Sequence, residues 1–158
     1  MKVYNTSVNY LKALGISLMV LGHSGIIDHE ISFIYMFHMP LFFIASGYCF
    51  KEKYLSAPQK YIYNKVKGIY WPYVKWSLLF LLLHNVCFNQ HLYSDQYGWK
   101  EYVSHLYAPS EFLNLATSII FKMQGHEQLL GGYWFLNALF FGSLIVWLVI
   151  RYVKQPLC

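Results

Sequence analysis

The sequence predicts an all-α membrane protein, a polytopic helical bundle of about four transmembrane helices with one further amphipathic helix. One observation behind this prediction is composition, since 57% of the 158 residues are hydrophobic and only 12% are charged, against a usual charged share of about 25%. Another is that four apolar stretches have the length of about 17–25 residues that crosses a bilayer. A chain of this length cannot bury so much apolar surface in one water-soluble core. Lipid is therefore the expected solvent, and intrinsic disorder is excluded.

The apolar stretches define the predicted helices, which form one partial membrane domain over residues 1–158. The four expected spans are residues 11–27, 31–50, 69–88 and 131–150. An amphipathic helix is predicted between the last two, because Ser110 and Glu111 are typical of an N-cap and a first helical turn. After them, apolar residues recur at helical spacing, namely Phe112, Leu113, Ala116, Ile119, Ile120 and Met123.

The positions of basic residues predict the orientation of these helices. Residues 51–68 contain five lysines and one acid, and short lysine-rich connections stay in the cytoplasm. Lys2 and Lys12 lie at the start of the chain, and Arg151 and Lys154 follow the last span, which puts both termini on that same side. We therefore expect a multi-pass protein of the cell membrane with both termini cytoplasmic and with the connection between the third and fourth spans external. Topology explains the net charge of +5, so no nucleic-acid partner is expected.

Two histidines, His23 and His38, lie inside predicted spans, where an ionisable side chain is costly and marks a functional candidate. They lie about 9 Å and about 13 Å from the turn between the first two helices, at 1.5 Å per residue, so the two imidazoles can share one depth. Imidazole suits proton transfer near neutral pH. The alternative is that each histidine only forms hydrogen bonds within the bundle. A tight hairpin disfavours haem, and two histidines are too few ligands for a metal ion, so no metal is expected.

The lysine-rich stretch has two interpretations. The simpler one is topology, with contact to anionic lipids. The other is a phosphate site, because Lys65 and Lys67 lie just before the third span, where cations can bind a phosphorylated cofactor from the cytoplasm. Elsewhere, we expect His84 in a structural or interfacial position, and we expect His91, His105 and His126 to be solvated.

Several strings of residues resemble a known family. Residues 10–24 read YLKALGISLMVLGHS and residues 37–48 read FHMPLFFIASGY. These strings are similar to the first two helices of the acyltransferase 3 family, membrane-bound acyl- and acetyltransferases, and in particular to its sugar O-acetylase branch. Residues 65–73 (KVKGIYWPY) and 133–139 (YWFLNAL) resemble later segments of that family in the same order. The resemblance covers nearly the whole chain and corresponds to the N-terminal portion of a family fold of about ten helices.

The resemblance implies a set of catalytic roles. His23 would act as the catalytic base that manages the proton of the acceptor, and His38 would line the same cavity. Ser24 would orient His23 or the substrate, and Trp134 would help to shape the wall of the cavity.

The resemblance also implies a reaction and its partners. Lys65 and Lys67 would contact the phosphates of acetyl-CoA, the acyl donor, at the cytoplasmic face. The acetyl or other acyl group would pass to a hydroxyl of a glycan or other cell-envelope acceptor on the outer side. Besides the lipid bilayer, the partners would include the remaining helices of the family fold or a partner chain that supplies them. The alternative is a catalytically inert truncated product or a small helical membrane subunit.

Overall fold

The computed structural model describes residues 6–23, 31–94 and 105–154, and the regular structure of these residues is helical, without any strand. The α-helices are α1 (Thr6–His23), α2 (Ile31–Tyr48), α3 (Lys53–Ser56), α4 (Pro58–Lys65), α5 (Trp71–Asn89), α6 (Pro109–Lys122) and α7 (Trp134–Lys154). A π-helical turn, Val66–Tyr70, joins α4 to α5, and a 3₁₀ helix, Gln128–Tyr133, precedes α7. The prediction of an all-α fold is confirmed.

One helix in the described part of the chain is long and apolar enough to cross a membrane. It is Gln128–Val153, the 3₁₀ helix together with α7, and its mean hydropathy reaches 1.9. Only 17% of its most apolar stretch is buried, so most of that stretch is exposed. Met39–Tyr48 is apolar but shorter. The fourth predicted span therefore has a clear counterpart, and the count of four spans stays a prediction.

The chain divides into two units, Met1–Ser56 and Ala57–Cys158. In the first unit α1 packs against α2. Gly15 allows this approach, because a Cβ atom on it would lie 3.0 Å from Cε2 of Phe42. Small residues permit close helix packing of this kind. Val8 on α1 and Ala45 on α2 are also buried.

In the second unit a continuous helical segment runs from Pro58 through the π turn to Asn89. Most of the lysine-rich stretch, which the sequence places between two predicted spans, is therefore helical. Pro58 begins the segment at a position where its missing N–H costs nothing. Pro72 explains the π turn, since a proline inside a helix removes one hydrogen bond and clashes with the carbonyl four residues earlier, that of Gly68.

The helices α6 and α7 lie along different halves of this continuous segment. Tyr70 Oη donates a hydrogen bond to the carbonyl of Ile120, near the end of α6, at 2.8 Å. The rest of α6 lies along the half of the segment that ends at Asn89. Tyr61 Oη donates to the carbonyl of Ser143 on α7 at 2.9 Å, so α7 follows the half that begins at Pro58. The core between these elements consists of Tyr73, Val74, Leu81, Tyr107, Ile119, Met123 and Phe140.

The amphipathic helix α6 is confirmed, with a different start. Its N-cap is Ala108 rather than Ser110, and Pro109 is its first residue. Glu111 accepts the backbone N–H of Ala108 at 2.7 Å, which satisfies a donor that the helix start would otherwise leave without a partner. The proline moves the start earlier than the serine would, because proline is favoured at the first helical position.

Candidate functional site

The second unit contains a buried polar pair, His84 on α5 and Glu127 just before the 3₁₀ helix. His84 is 0% exposed and Glu127 is 5% exposed. His84 Nδ1 lies 3.0 Å from Glu127 Oε1 and 3.3 Å from Oε2. Charged groups are buried almost only when they are paired, so each side chain accounts for the burial of the other.

Two further groups surround the His84 ring. His84 Nε2 lies 3.3 Å from the backbone carbonyl of His105, and the ring of Tyr107 stacks on the imidazole with centroids 3.5 Å apart and planes at 5°. Because Nδ1 faces a carboxylate and Nε2 faces a carbonyl, only the doubly protonated imidazolium donates to both acceptors. This geometry places a carboxylate, a carbonyl and an aromatic ring against the buried imidazole.

Tyr93 completes the cluster from the other side of Glu127. Its hydroxyl donates to Glu127 Oε2 at 2.9 Å and lies 3.1 Å from His84 Nδ1. Burial and the neighbouring negative charge of Glu127 raise the pKa of Tyr93 well above its usual range, so this hydroxyl stays a donor at physiological pH. We call His84, Tyr93, Tyr107 and Glu127 the histidine–carboxylate cluster.

Paired contacts hold the backbone around this cluster. The side-chain amide of Asn85 donates to the carbonyl of Tyr107 at 3.2 Å and accepts the N–H of Tyr107 at 2.9 Å. The side-chain amide of Gln128 makes the same two-way contact with the backbone of Ser94. The segment before α6 is thereby tied to α5, and the segment after α6 is tied to the residues that follow α5.

The exposed edge of the cluster is formed by His105 and Glu111. His105 Nε2 lies 3.0 Å from Glu111 Oε1, and both side chains are half exposed. The hydrogen bond from the N–H of Ala108 and the contact with His105 lower the pKa of Glu111, so its carboxylate is ionised near neutral pH. His105 is exposed as expected, and His84 is wholly buried.

A small crevice adjoins Glu127 and has room for about one water molecule. Its wall includes Tyr107, Gly125, His126 and Glu127. His126 is partly buried, and burial lowers its pKa, so the neutral imidazole is favoured there.

A second cluster lies toward the other end of the continuous helical segment. Tyr61 and Trp147 are both buried and stack with ring centroids 5.6 Å apart and planes at 19°. Lys65 Nζ lies 5.4 Å from the centroid of Tyr61, and Arg151 Cζ lies 5.4 Å from that of Trp147. We call these four residues the cation–aromatic cluster. Each cation follows its aromatic partner by four positions, so the cation and the ring of each pair lie on the same face of their own helix.

The two clusters are far apart along one helical segment. Lys65 and His84 are nineteen positions apart, which corresponds to about 28 Å at the α-helical rise. This is close to the hydrocarbon thickness of a bilayer, about 30 Å.

The predicted site residues have different outcomes. The backbones of His23 and His38 are helical, but their side chains lie outside the described part of the structure, as does Ser24. Their common cavity therefore stays a prediction. Trp134 is the first residue of α7 and is 58% exposed. Within the described residues no group of three metal-ligating side chains occurs.

The predicted phosphate-binding lysines lie in helical backbone. Lys65 is the last residue of α4, and Lys67 lies in the π turn, with its Nζ 5.9 Å from the ring centroid of Tyr63. Arg151 was not among the predicted site residues. The available signal was the repeated spacing of an aromatic residue and a cation four positions later, at 61 and 65, 63 and 67, and 147 and 151.

The described part of the chain is helical and contains one helix that is long and apolar enough to cross a membrane. A family model described as an acyltransferase domain, that of the acyltransferase 3 family, matches residues 5–157. The chain belongs to the acyltransferase 3 family, as the sequence resemblance implied, and the family suggests membrane acyltransferase activity. Searches of the curated proteins and of the solved structures find no match.

Proposed function

We propose that this protein is a membrane-bound O-acyltransferase that moves an acetyl or other acyl group from cytoplasmic acyl-CoA to a hydroxyl of an extracytoplasmic glycan. The observation that carries the proposal is the family match over residues 5–157. That match includes both histidine strings and the lysine-rich segment, the parts of the chain to which the chemistry is assigned.

The chemical step needs a base on the acceptor side. A sugar hydroxyl is a weak nucleophile, and a positioned imidazole can take its proton as the oxygen attacks the thioester carbonyl. In our proposal His23 accepts this proton, the new ester bond forms, and the carbon–sulfur bond breaks. CoA leaves as the thiolate and takes up a proton to become the thiol. Such general-base catalysis contributes about 10²–10⁴-fold to a rate.

The other proposed residues bind and position the reactants. His38 lines the same cavity as His23 and is the main alternative for the base. Ser24 orients His23 or the acceptor hydroxyl, and Trp134 shapes the cavity wall. Lys65 and Lys67 hold the donor phosphates. These lysines do not act as the base, because anionic phosphates favour their protonated form.

The spacing in the second unit supports a donor and an acceptor at opposite faces. The cation–aromatic cluster offers positive charge at one end of the continuous helical segment, and the histidine–carboxylate cluster lies about 28 Å away along it. Basic residues favour the cytoplasmic face, where acyl-CoA is available. The opposite end then faces the compartment of the glycan.

The test measures transfer of label from radioactive acetyl-CoA to cell-surface glycan in membranes that contain the full chain. His23→Ala should abolish the transfer while the amount of protein in the membrane stays normal. His91→Asn is the matched control, because His91 is exposed and its backbone φ of 55° suits asparagine. If His23→Ala keeps most activity and His38→Ala loses it, the assignment of the base is reversed. Absence of transfer by the unaltered protein would refute the proposed function.

A second measurement tests the donor side. Lys67→Ala should raise the KM for acetyl-CoA and leave kcat nearly unchanged, because a phosphate contact remote from the thioester binds ground state and transition state equally. Lys75→Ala is the control, since Lys75 is an exposed lysine on the same helical segment, in α5. An unchanged KM in Lys67→Ala would exclude Lys67 from the donor site.

A further inference from the structure

We propose that Arg151 and Lys65 together form a phosphate-binding site, in which each cation is held against one ring of the Tyr61–Trp147 stack. Arg151 belongs to α7 and Lys65 to α4, so the site joins the two helices. The ligand class is a compound with more than one phosphate group. In identifying this ligand as the acyl donor, the inference rests on the proposed function.

The stack fixes where the two cations lie. Tyr61 and Trp147 are buried, and the hydrogen bond from Tyr61 Oη to the carbonyl of Ser143 ties α4 to α7 at 2.9 Å. Lys65 and Arg151 are both partly buried, and each lies 5.4 Å from its ring centroid. Side chains restrained in this way lose less conformational entropy when a ligand binds than freely rotating surface cations lose.

The acids of the second unit that the structure describes lie away from this end. The acids in the described part of the second unit are Glu111 and Glu127, and they contact His105 and His84 near the far end of α5. Among the described residues Arg151 makes no ion pair, and its guanidinium lies over the Trp147 ring. Its positive charge is therefore available to an external anion.

The chemistry of arginine makes this residue the strongest candidate for the contact. Arg151 is the only arginine in the sequence. A guanidinium presents N–H groups in a planar fork that binds phosphate through two hydrogen bonds, whereas a lysine acts as a point charge. Contact of the guanidinium with an aromatic ring is compatible with this, because the N–H groups lie in the guanidinium plane. Arg151 thus supplies the bidentate contact that Lys65 and Lys67 cannot make.

Each cation contacts its own ring, so a ligand with more than one phosphate group can contact both cations. The nucleotide portion of acyl-CoA, with its diphosphate and its 3′-phosphate, has this chemistry. Phosphate headgroups of neighbouring anionic lipids share it, so the experiment must distinguish these two sources.

The first arm measures CoA binding by titration calorimetry with the full chain in nanodiscs of neutral phosphatidylcholine. Arg151→Gln should weaken CoA binding by about tenfold or more, the usual loss for a charge-assisted hydrogen bond. Arg151→Lys should give an intermediate affinity, because it keeps the charge and loses the fork. Lys75→Gln is the matched control and should change the affinity by less than about twofold. It also removes a cation near an aromatic ring, with Nζ 5.6 Å from the ring of Trp76.

The second arm uses nanodiscs that contain phosphatidylglycerol and measures how much the anionic lipid raises the Tm of each variant without CoA. If Arg151→Gln loses only this lipid response, the site binds phosphate headgroups and the assignment to the donor is wrong. If Arg151→Gln changes neither CoA affinity nor the lipid response, the phosphate site is refuted.

Both arms measure binding without acyl transfer. CoA binding that depends on Arg151 in a protein without transfer activity would support this site and refute the proposed function. The two failures are therefore distinguishable.

Discussion

Replacement of Glu127 by alanine removes the acceptor that faces both His84 and Tyr93. His84 has no exposed surface, so its imidazole would remain buried without its carboxylate partner. Breaking a buried ion pair by removal of one partner costs about 3–5 kcal/mol. At about 2–4 °C per kcal/mol for a chain of this size, this corresponds to a fall in Tm of about 6–20 °C. We expect a loss in this range for Glu127→Ala, and a smaller loss for Glu127→Gln, which keeps hydrogen-bonding atoms in place.

The assay is thermal unfolding in detergent, followed by intrinsic tryptophan fluorescence, for Glu127→Ala, His84→Ala and the pair His84→Ala/Glu127→Ala. Because the double variant leaves neither partner buried alone, its loss should be smaller than the combined losses of the single variants by about 0.5–3 kcal/mol, the usual coupling of contacting residues. His91→Asn serves as the exposed histidine control. Additive losses in the double variant would refute a coupled pair.

Three further predictions concern pH, packing and topology. Burial lowers the pKa of His126. The contribution of His126 to stability is therefore fully present above the usual histidine pKa of about 6.5, and it falls as the pH drops from there through the lowered pKa. His126→Gln should flatten the pH dependence of Tm in that window. Gly15→Val should lower Tm because its side chain meets Phe42, at a cost of about 1–3 kcal/mol, whereas Gly47→Ala, with no neighbouring atom within 4 Å, should not. With the native cysteines replaced, a cysteine at position 106 should react with an impermeant reagent on intact cells and one at position 60 should not; the reverse pattern would overturn the predicted orientation.

The helical class and the amphipathic helix were predictable because both depend on composition and on periodic spacing. Fifty-seven per cent hydrophobic residues indicate helices in lipid, and apolar residues at helical spacing indicate α6. Boundaries depend on fewer atoms and were less predictable. Pro109 moved the start of α6 forward from Ser110, and the lysine-rich stretch was interpreted as a connection because its charge obscured its helical structure.

The candidate site was only partly predictable, because its contacts join residues far apart in sequence. His84 and Glu127 are 43 positions apart, and no local pattern around either residue indicates the other. Tyr61 and Trp147 are 86 positions apart by sequence number, although the local spacing of Tyr61 to Lys65 and of Trp147 to Arg151 is visible. Sequence patterns therefore indicated the residue types at each end, and the packing of α6 and α7 determined which of them meet.

The π turn at Val66–Tyr70 sets the rotational phase between the two halves of the long helical segment. Tyr61, before the turn, contacts α7, and His84, after the turn, contacts Glu127. A single-residue deletion there would rotate one half against the other by about 100° and shorten the segment by about 1.5 Å. The two clusters could then no longer form together without repacking of α6 or α7. Insertions and deletions within Val66–Tyr70 should therefore be far less tolerated than substitutions at exposed positions such as Gly68, where an added Cβ atom would meet nothing within 4 Å.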